Sequence, residues 1–535
     1  MFICQRGEDG MGIYFNPGNE SFLQSKNSRI YVDKTELLNE LNSRLSTDDK
    51  CIAVSHARRF GKSHAAGMID AYYSRGCDSA ELFEDTKLAT NLAYKKHMNK
   101  YNVIHLDISS FWDDYKANII EKIKEYVVSD LRDEFEEKVD FSKKFSVILM
   151  SVYKLTGIQF VIIIDEWDCV IRNSDDQNLI HNYLQFLHSL FKSEESKYFL
   201  ALAYITGILP IKKIKDESAL NNFQEFTMLK SRPITQYYGF TEEEVMMLCR
   251  QYNMDYESMK AWYNGYLIDG MHMYNPNSVS MALNYRDFDS YWKNTSSFES
   301  INTFINMNYE GLRDDIVNML SGKKLYVNTE TFQNDFSTVS SKDEALTALI
   351  HLGYLGYDRE EESAFIPNYE VKKAYQAALC TGDWGKIGKS IARCDELLRA
   401  TINCESDKVA EIIELAHESY TSVLRYNDEN SLSCVLTMAY FTAPAYYNIV
   451  REMPAGKGYA DMVFIPRKNA GKRPAIIIEL KCDKTAEAAV KQIKDRHYEG
   501  ALAGYKGKLL LVGINYDSQN GEKKHHTCVI EEYEK

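Results

Sequence analysis

"SHARRFGKSHAAGM" (residues 55–68) follows the apolar run "CIAV" (51–54) and opens a stretch with helical spacing. Its Gly61-Lys62-Ser63 has the order of a phosphate-binding loop. In such a loop backbone N–H groups and the N-terminus of the next helix point at phosphate, and a lysine adds a mobile positive charge. The hydroxyl that follows takes a place on magnesium. The usual motif also sets a glycine five residues before Gly61, where this chain has His56. Gly-Lys-Ser alone is a weak signal. Downstream, "FVIIIDEWD" (160–168) supplies an apolar strand ending in Asp165-Glu166. There an aspartate at a buried strand tip holds hydrated magnesium, and the adjacent glutamate polarises an attacking water.

Further apolar runs, "NVIHLDIS" (102–109) and "YFLALAYITG" (198–207), alternate with helical stretches, the first of them running from Ser63 to about Tyr73. Strands apolar nearly throughout and separated by helices predict a parallel sheet covered on both faces. From Thr241 the texture turns helical, starting at the capping signature "TEEE" (241–244). Within this region "KDEALTALIHLGYLGYDREEESAFIPN" (342–368) predicts a helix leading into a two-stranded wing at 354–357 and 364–367, a winged-helix-like unit or a helical bundle with one hairpin. Beyond Asn403 lie a helical segment and an α/β block. In that block "GYADMVFIP" (458–466) and "RPAIIIELK" (473–481) predict paired strands, "TAEAAVKQIKDRHYEGALAG" (485–504) a helix, and "KLLLVGINY" (508–516) a third strand.

With 535 residues the chain exceeds a single core. We expect three regions: a P-loop domain with an N-terminal extension at 1–240, a helical and winged-helix-like region at 241–400, and an α/β domain at 401–535. The composition, 45% hydrophobic and 26% charged, fits a soluble globular chain. No apolar run approaches the roughly 20 residues of a membrane helix, and the start lacks a basic segment followed by an apolar core, so neither a membrane partner nor a secretory signal is expected. Eleven cysteines without a CxxC pair fit reduced thiols and a cytoplasmic location. "HHTC" (525–528) has no distant partners in the sequence and reads as a polar strand end rather than a zinc site. The net charge of −14 argues against a protein coated in nucleic acid. Residues 451–535, however, hold 16 Lys and Arg against 12 Asp and Glu, a local +4 compatible with a nucleic-acid substrate.

In that last block Asp461 lies on one strand, and Glu479 and Lys481 on the next. Residues two apart on a strand share a face. In an antiparallel hairpin Asp461 reaches the same face, so two carboxylates and a lysine converge. Oxygen ligands of this kind suit magnesium or manganese, which polarises a phosphodiester and activates water. A surface ion pair between neighbouring strands is the alternative.

Taken in order, "YVDKT" (31–35), "RRFGKS" (58–63), "IIIDEWD" (162–168), "ITGI" (205–208), "LNNF" (220–223), "YGFTEEEV" (238–245), "WYNGY" (262–266), "YNPNSV" (274–279) and "IPNYEV" (366–371) resemble the bacterial AAA-ATPase-like family that carries a C-terminal PD-(D/E)XK nuclease-type domain. That family commonly has Arg-Pro-Arg-Arg-Phe-Gly-Lys-Ser in its loop; His56-Ala57 stand where Arg-Pro is usual. The resemblance implies an α/β architecture of an AAA/STAND-like P-loop domain, a winged-helix-like middle and a restriction-endonuclease-like end. It implies an ATP site of Arg58, Arg59, Phe60, Gly61, Lys62, Ser63, Asp165 and Thr206. Lys62 would contact the β and γ phosphates, Ser63 and Asp165 would hold Mg2+, and Glu166 would activate water. Thr206 would sense the γ phosphate, while Arg58 and Arg59 neutralise phosphate charge or a partner's acidic face, or form salt bridges to the acidic body. In the nuclease signature Asp461 and Glu479 would hold Mg2+ or Mn2+, with Lys481, Gln492 and, further upstream, Glu429 assisting. The implied function is an ATPase joined to a Mg-dependent deoxyribonuclease whose cleavage follows the nucleotide state, with DNA as partner and a homo-oligomer left open. The alternative is an ATP-dependent sensor or assembly protein whose nuclease-like domain binds nucleic acid without cutting.

Overall fold

A computed structural model describes residues 12–211, 220–292, 304, 308–332, 339–381, 393–420, 429–455, 458–467, 470–498, 502, 505–518 and 525–533. The chain packs as two compact units, each assembled from separate stretches. One takes Met1–Leu248, Gly265–Ser280 and Tyr326–Ala364; the other takes Cys249–Asn264, Met281–Leu325 and Phe365–Lys535. Residues of the 241–400 region are thus divided between the two.

The first unit is built on the apolar runs. β1 (Cys51–Ser55), β2 (Asn102–Asp107), β3 (Phe160–Asp165), β4 (Leu200–Gly207) and β5 (Gln224–Thr227) form a wholly parallel sheet in the order β2-β3-β4-β1-β5. Alternate residues of each strand feed opposite cores. Ile52, Val54, Val161 and Ile163 pack with the helix Lys62–Tyr73, whereas Ala53, Ile162 and Ile164 pack with Ile119–Phe135 and Gln177–Phe191. Burial on both faces is why the strands read as unbroken apolar runs. β5, missing from the sequence reading, is short, lies at the sheet edge and is largely polar, so it carries no such run.

In this order β4 lies between β1 and β3, so the loop leaving β1 and the acidic tip of β3 end on either side of Thr206-Gly207. Crevices at the carboxyl ends of parallel strands are where ligands bind in open α/β sheets. Beside it, β6 (Phe240–Thr241), β7 (Tyr266–Ile268) and β8 (Met271–Tyr274) form an antiparallel sheet in the order β6-β8-β7. The capping signature at Thr241 is realised. Its hydroxyl accepts from the Glu244 N–H at 3.3 Å, and Glu244 accepts from the Thr241 N–H at 2.9 Å. The helix Lys342–His351 leads into β10 (Gly356–Asp358) and β11 (Ser363–Phe365), which β9 (Leu325–Tyr326) joins as a third strand.

The second unit holds a mixed sheet in the order β12-β13-β14-β15-β16: β12 (Tyr447–Ala455), β13 (Gly458–Pro466), β14 (Ala475–Cys482), β15 (Leu509–Tyr516) and β16 (His526–Tyr533). Only the central pair, β14 and β15, is parallel, and the helix Ala486–Asp495 makes the crossover between them. That helix starts at Thr485, whose hydroxyl accepts from the Ala488 N–H, and packs Val490 and Ile493 on Ala475, Ile477 and Leu511. The outer strands β12 and β16 went unread because, unlike the central β14, they are broken by charged residues.

The crossover helix lies so close to β15 that a methyl group on Gly513 would sit 2.2 Å from the Ala486 carbonyl oxygen. Gly513→Ala is therefore expected to force the helix off the sheet, destabilising this unit by about 1–3 kcal/mol. A lowered urea midpoint for the unfolding of this unit checks it.

Candidate functional site

The loop after β1 shows why glycine is dispensable at position 56. His56 lies outside the left-handed region; the positive φ angles fall instead on Arg59 (67°) and Gly61 (90°). Without that backbone demand the position takes a core side chain. His56 is fully buried, its Nε2 2.7 Å from the Ser231 hydroxyl and its ring 5.3 Å from that of Tyr238. Burial, with Lys62 nearby, pushes its pKa down to about 3, so the ring is neutral.

Gly61 precedes the helix Lys62–Tyr73, and Lys62 folds back over the loop. Its Nζ donates to the carbonyls of His56 at 2.8 Å and Ala57 at 3.0 Å. Burial lowers its pKa, opposed by the negative charges of Asp165, Glu166 and Asp168. Ser63 is exposed on the cavity wall.

At the tip of β3, Asp165 accepts from the Thr206 hydroxyl and, at 3.1 Å, from the Glu166 N–H. Thr206 is thus a partner of the acidic tip rather than a bare strand end. Glu166 has a left-handed backbone, φ 51°, and its carboxylate pairs with Arg172 at 2.9 Å. Arg172 also donates to Asp168 at 2.8 Å, and the fully buried Asp168 accepts from the Ile208 and Leu209 N–H groups. The sequence reading missed this support, although the i, i+4 spacing of Asp168 and Arg172 was a legible sign of it. A cavity of about 720 Å³ lies over the loop and Glu166, within the roughly 300–1,000 Å³ usual for small-molecule sites. Arg58, Arg59, Lys62, Ser63 and Glu166 line it, and Tyr31, Phe240 and Pro276 close other sides. The last three lie in the stretches "YVDKT", "YGFTEEEV" and "YNPNSV", but nothing in those stretches tied them to the loop, which they reach only through the fold.

In the second unit the register Met462↔Ile478 sets Asp461 alongside Glu479. Past Ile478 the pairing of β13 with β14 stops, and the Asp461 carboxylate takes over, accepting from the Leu480 N–H at 2.7 Å. Glu479 is 2% exposed. One of its oxygens accepts from Lys481 at 2.9 Å and from Gln492; the other is buried without a hydrogen-bond partner among the described residues. Burial first, then Asp461, pushes its pKa up to about 6, against the pull of Lys481. Gln492 comes from the crossover helix and also contacts the Tyr498 hydroxyl at 3.4 Å. Asp461, Glu479, Lys481 and Gln492 are therefore assembled. Glu429 opens the helix Glu429–Ala439, and its side chain lies outside the described residues.

The histidines of "HHTC" do find distant partners. His526 bonds Glu414 at 2.9 Å and His417 at 3.1 Å. Among the described residues no group of three or more His, Cys, Asp or Glu is placed to hold a metal ion. At the two candidate sites the donors number two each, and they fit a hard divalent cation. Ser63 and Asp165 offer oxygens in one, while in the other the unpartnered Glu479 oxygen lies beside Asp461.

Two family models match the chain. Residues 18–215 match one described as a predicted AAA-ATPase, and residues 427–526 match the PD-(D/E)XK nuclease superfamily. A protein from the vnfD 5' region of Azotobacter chroococcum mcd 1, itself described as uncharacterized, is 23% identical over 158 residues. The match covers 29% of this chain and 30% of that protein, so the chain spans less than a third of the length of that relative. Among solved structures, the ORC2 protein of Aeropyrum pernix with ADPNP and ADP is 12% identical, at a TM-score of 0.31 over 69% of this chain and all of that one. Cdc6p of Pyrobaculum aerophilum is 10% identical, at 0.28 over 81% of this chain and 92% of that one. The ORC1 protein of Aeropyrum pernix in complex with DNA is 10% identical, at 0.26 over 86% and 96%.

The buried His56 sets a pH dependence. Its pKa is about 3 in the fold against 6.5 in the open chain. The stability it supports is therefore complete above pH 6.5 and is lost as the pH falls towards 3. Between pH 7 and pH 5 this amounts to about 2 kcal/mol. A His56→Gln variant should lose that part of the acid sensitivity, measured as the difference between the two proteins' pH–stability curves.

Proposed function

We propose that this chain, which joins an AAA-ATPase-like domain to a PD-(D/E)XK nuclease-superfamily domain, binds and hydrolyses ATP and cuts DNA with a divalent cation, the cutting being governed by the nucleotide state. The observation that carries the reading is the arrangement at β14: a buried glutamate with one oxygen left unpartnered, an aspartate beside it and a lysine on it. A buried polar atom without a partner costs free energy, and an adjacent carboxylate adds repulsion; a cation relieves both.

At the first site Lys62 leaves the carbonyls of His56 and Ala57 for the β and γ phosphates. Ser63 and Asp165 would hold Mg2+, with Asp165 oriented by Thr206. Glu166 takes a proton from the attacking water once its carboxylate is released from Arg172. Arg58 and Arg59 offset phosphate charge from the cavity wall.

At the second site Asp461 and Glu479 would hold Mg2+ or Mn2+, Gln492 would fix the Glu479 oxygen that is not used, and Lys481 would orient the water or meet the charge that develops on phosphate. A bound divalent cation would polarise the phosphodiester and lower the pKa of a bound water. The presence of both domains in one chain is what supports control of cutting by ATP.

The test is an ATPase assay and a cleavage assay on labelled single- and double-stranded DNA, run side by side on wild type, Lys62→Ala, Asp461→Ala and Glu479→Ala, with and without Mg2+. Either carboxylate variant should lower cleavage by about 100-fold or more while ATP hydrolysis persists. Lys62→Ala should abolish hydrolysis and change cleavage. Survival of cleavage in Asp461→Ala defeats the nuclease reading, and cleavage untouched by Lys62→Ala defeats the coupling.

A further inference from the structure

Arg59 holds a left-handed backbone, φ 67°, where a residue other than glycine is disfavoured by sterics. Such a conformation persists when its surroundings fix it from several sides. Here the carbonyls on either side of Arg59 are both gripped. The Phe60 carbonyl accepts from the Gly239 N–H at 2.9 Å, and the Arg58 carbonyl accepts from the Asn275 side-chain amide at 3.3 Å.

Both donors come from one end of the small antiparallel sheet. Phe240 of β6 pairs with Tyr274 of β8, so Gly239 and Asn275 stand one step beyond that pair, facing each other. The same sheet receives the Phe60 ring. It is fully buried, edge-on to Tyr266 at 5.1 Å, and a side chain on Gly239 would meet it at 3.2 Å. The loop that cradles phosphate in other chains through glycine is here pinned from outside.

Asn275 does two things with one carboxamide. Its oxygen accepts from the Asn277 N–H at 3.0 Å and the Ser278 N–H at 3.3 Å, capping the helix Pro276–Tyr285, and its nitrogen holds Arg58. The side chain is 2% exposed, and the first turn it caps contributes Pro276, Asn277 and Ser280 to the cavity wall.

We propose that Asn275 is a positioning residue of the nucleotide site, setting the Arg58–Phe60 backbone before the nucleotide arrives and joining it to the far wall of the cavity. This rests on the nucleotide reading above. It predicts that the donor on Asn275 matters to binding, separately from the cap.

The two roles are separable by substitution. Serine caps a helix but is too short to reach the Arg58 carbonyl, and aspartate caps as well as asparagine yet has no amide to donate. In Asn275→Ser the melting temperature should stay close to that of wild type. Hydrogen exchange of the amides from Arg59 to Lys62 should quicken in the nucleotide-free protein, and the Kd for a fluorescent ATP analogue with Mg2+ should rise about fivefold to tenfold, the effect of one hydrogen bond. Asn275→Asp, also without the donor, should show the same quickened exchange. Unchanged exchange in both variants overturns the proposal, and so does a loss of binding that comes only with a fallen melting temperature. Quickened exchange in a chain whose wild type binds no ATP keeps the anchor and removes the nucleotide reading instead.

Discussion

A buried carboxylate that closes an apolar strand run is costly unless something meets it, and both units are arranged around one. In the first unit Asp165 ends β3, met by the Thr206 hydroxyl from the next strand and faced by Lys62 from the loop beyond. The strand order makes this possible, because β4 stands between β1 and β3 and brings Thr206 to the gap. In the second unit Glu479 follows the apolar run Ala475–Ile478 within β14, and Lys481 and Gln492 share one of its oxygens. The apolar runs build the sheets. The acids at their ends determine what each sheet must place next to them.

Much of this was legible because burial on both faces leaves unbroken apolar runs, and the residues that end such runs stand out. The runs of β1 to β4 and of β13 to β15 could be read in that way, as could Lys62, Asp165, Glu479 and Lys481. What was not legible lies at edges and at long range. β5 is short and mostly polar, and the edge strands β12 and β16 are broken by Arg451-Glu452 and Glu531-Glu532. Ser231, Tyr238 and Asn275 touch the phosphate loop across long stretches of sequence, and nothing in their own neighbourhoods announces it. The Asp168–Arg172 pair is different: its spacing was readable, but its purpose appears only once Glu166 is seen on the same guanidinium.

His56 illustrates how a motif's requirement can move. Glycine is needed where a backbone turns left-handed or must be approached closely, and in this loop those demands fall on positions 59 and 61. Position 56 is then governed by packing, and a neutral imidazole bonded to Ser231 fills it. The strain that glycine would have avoided is transferred to Arg59, where two external hydrogen bonds hold it.

The two sites differ in how they rest. Around the phosphate loop the charged groups have internal partners: Lys62 lies on two carbonyls, Glu166 on Arg172, and Asp165 on Thr206. A ligand there gains only the difference between its own contacts and those it displaces, so phosphate must compete with the loop for its lysine. At β14 the balance is the reverse. Glu479 keeps one buried oxygen with no hydrogen bond and a second carboxylate beside it, so a cation displaces nothing from that oxygen and relieves a standing cost. The first site is closed on itself, while the second keeps a buried carboxylate oxygen with no hydrogen bond among the described residues.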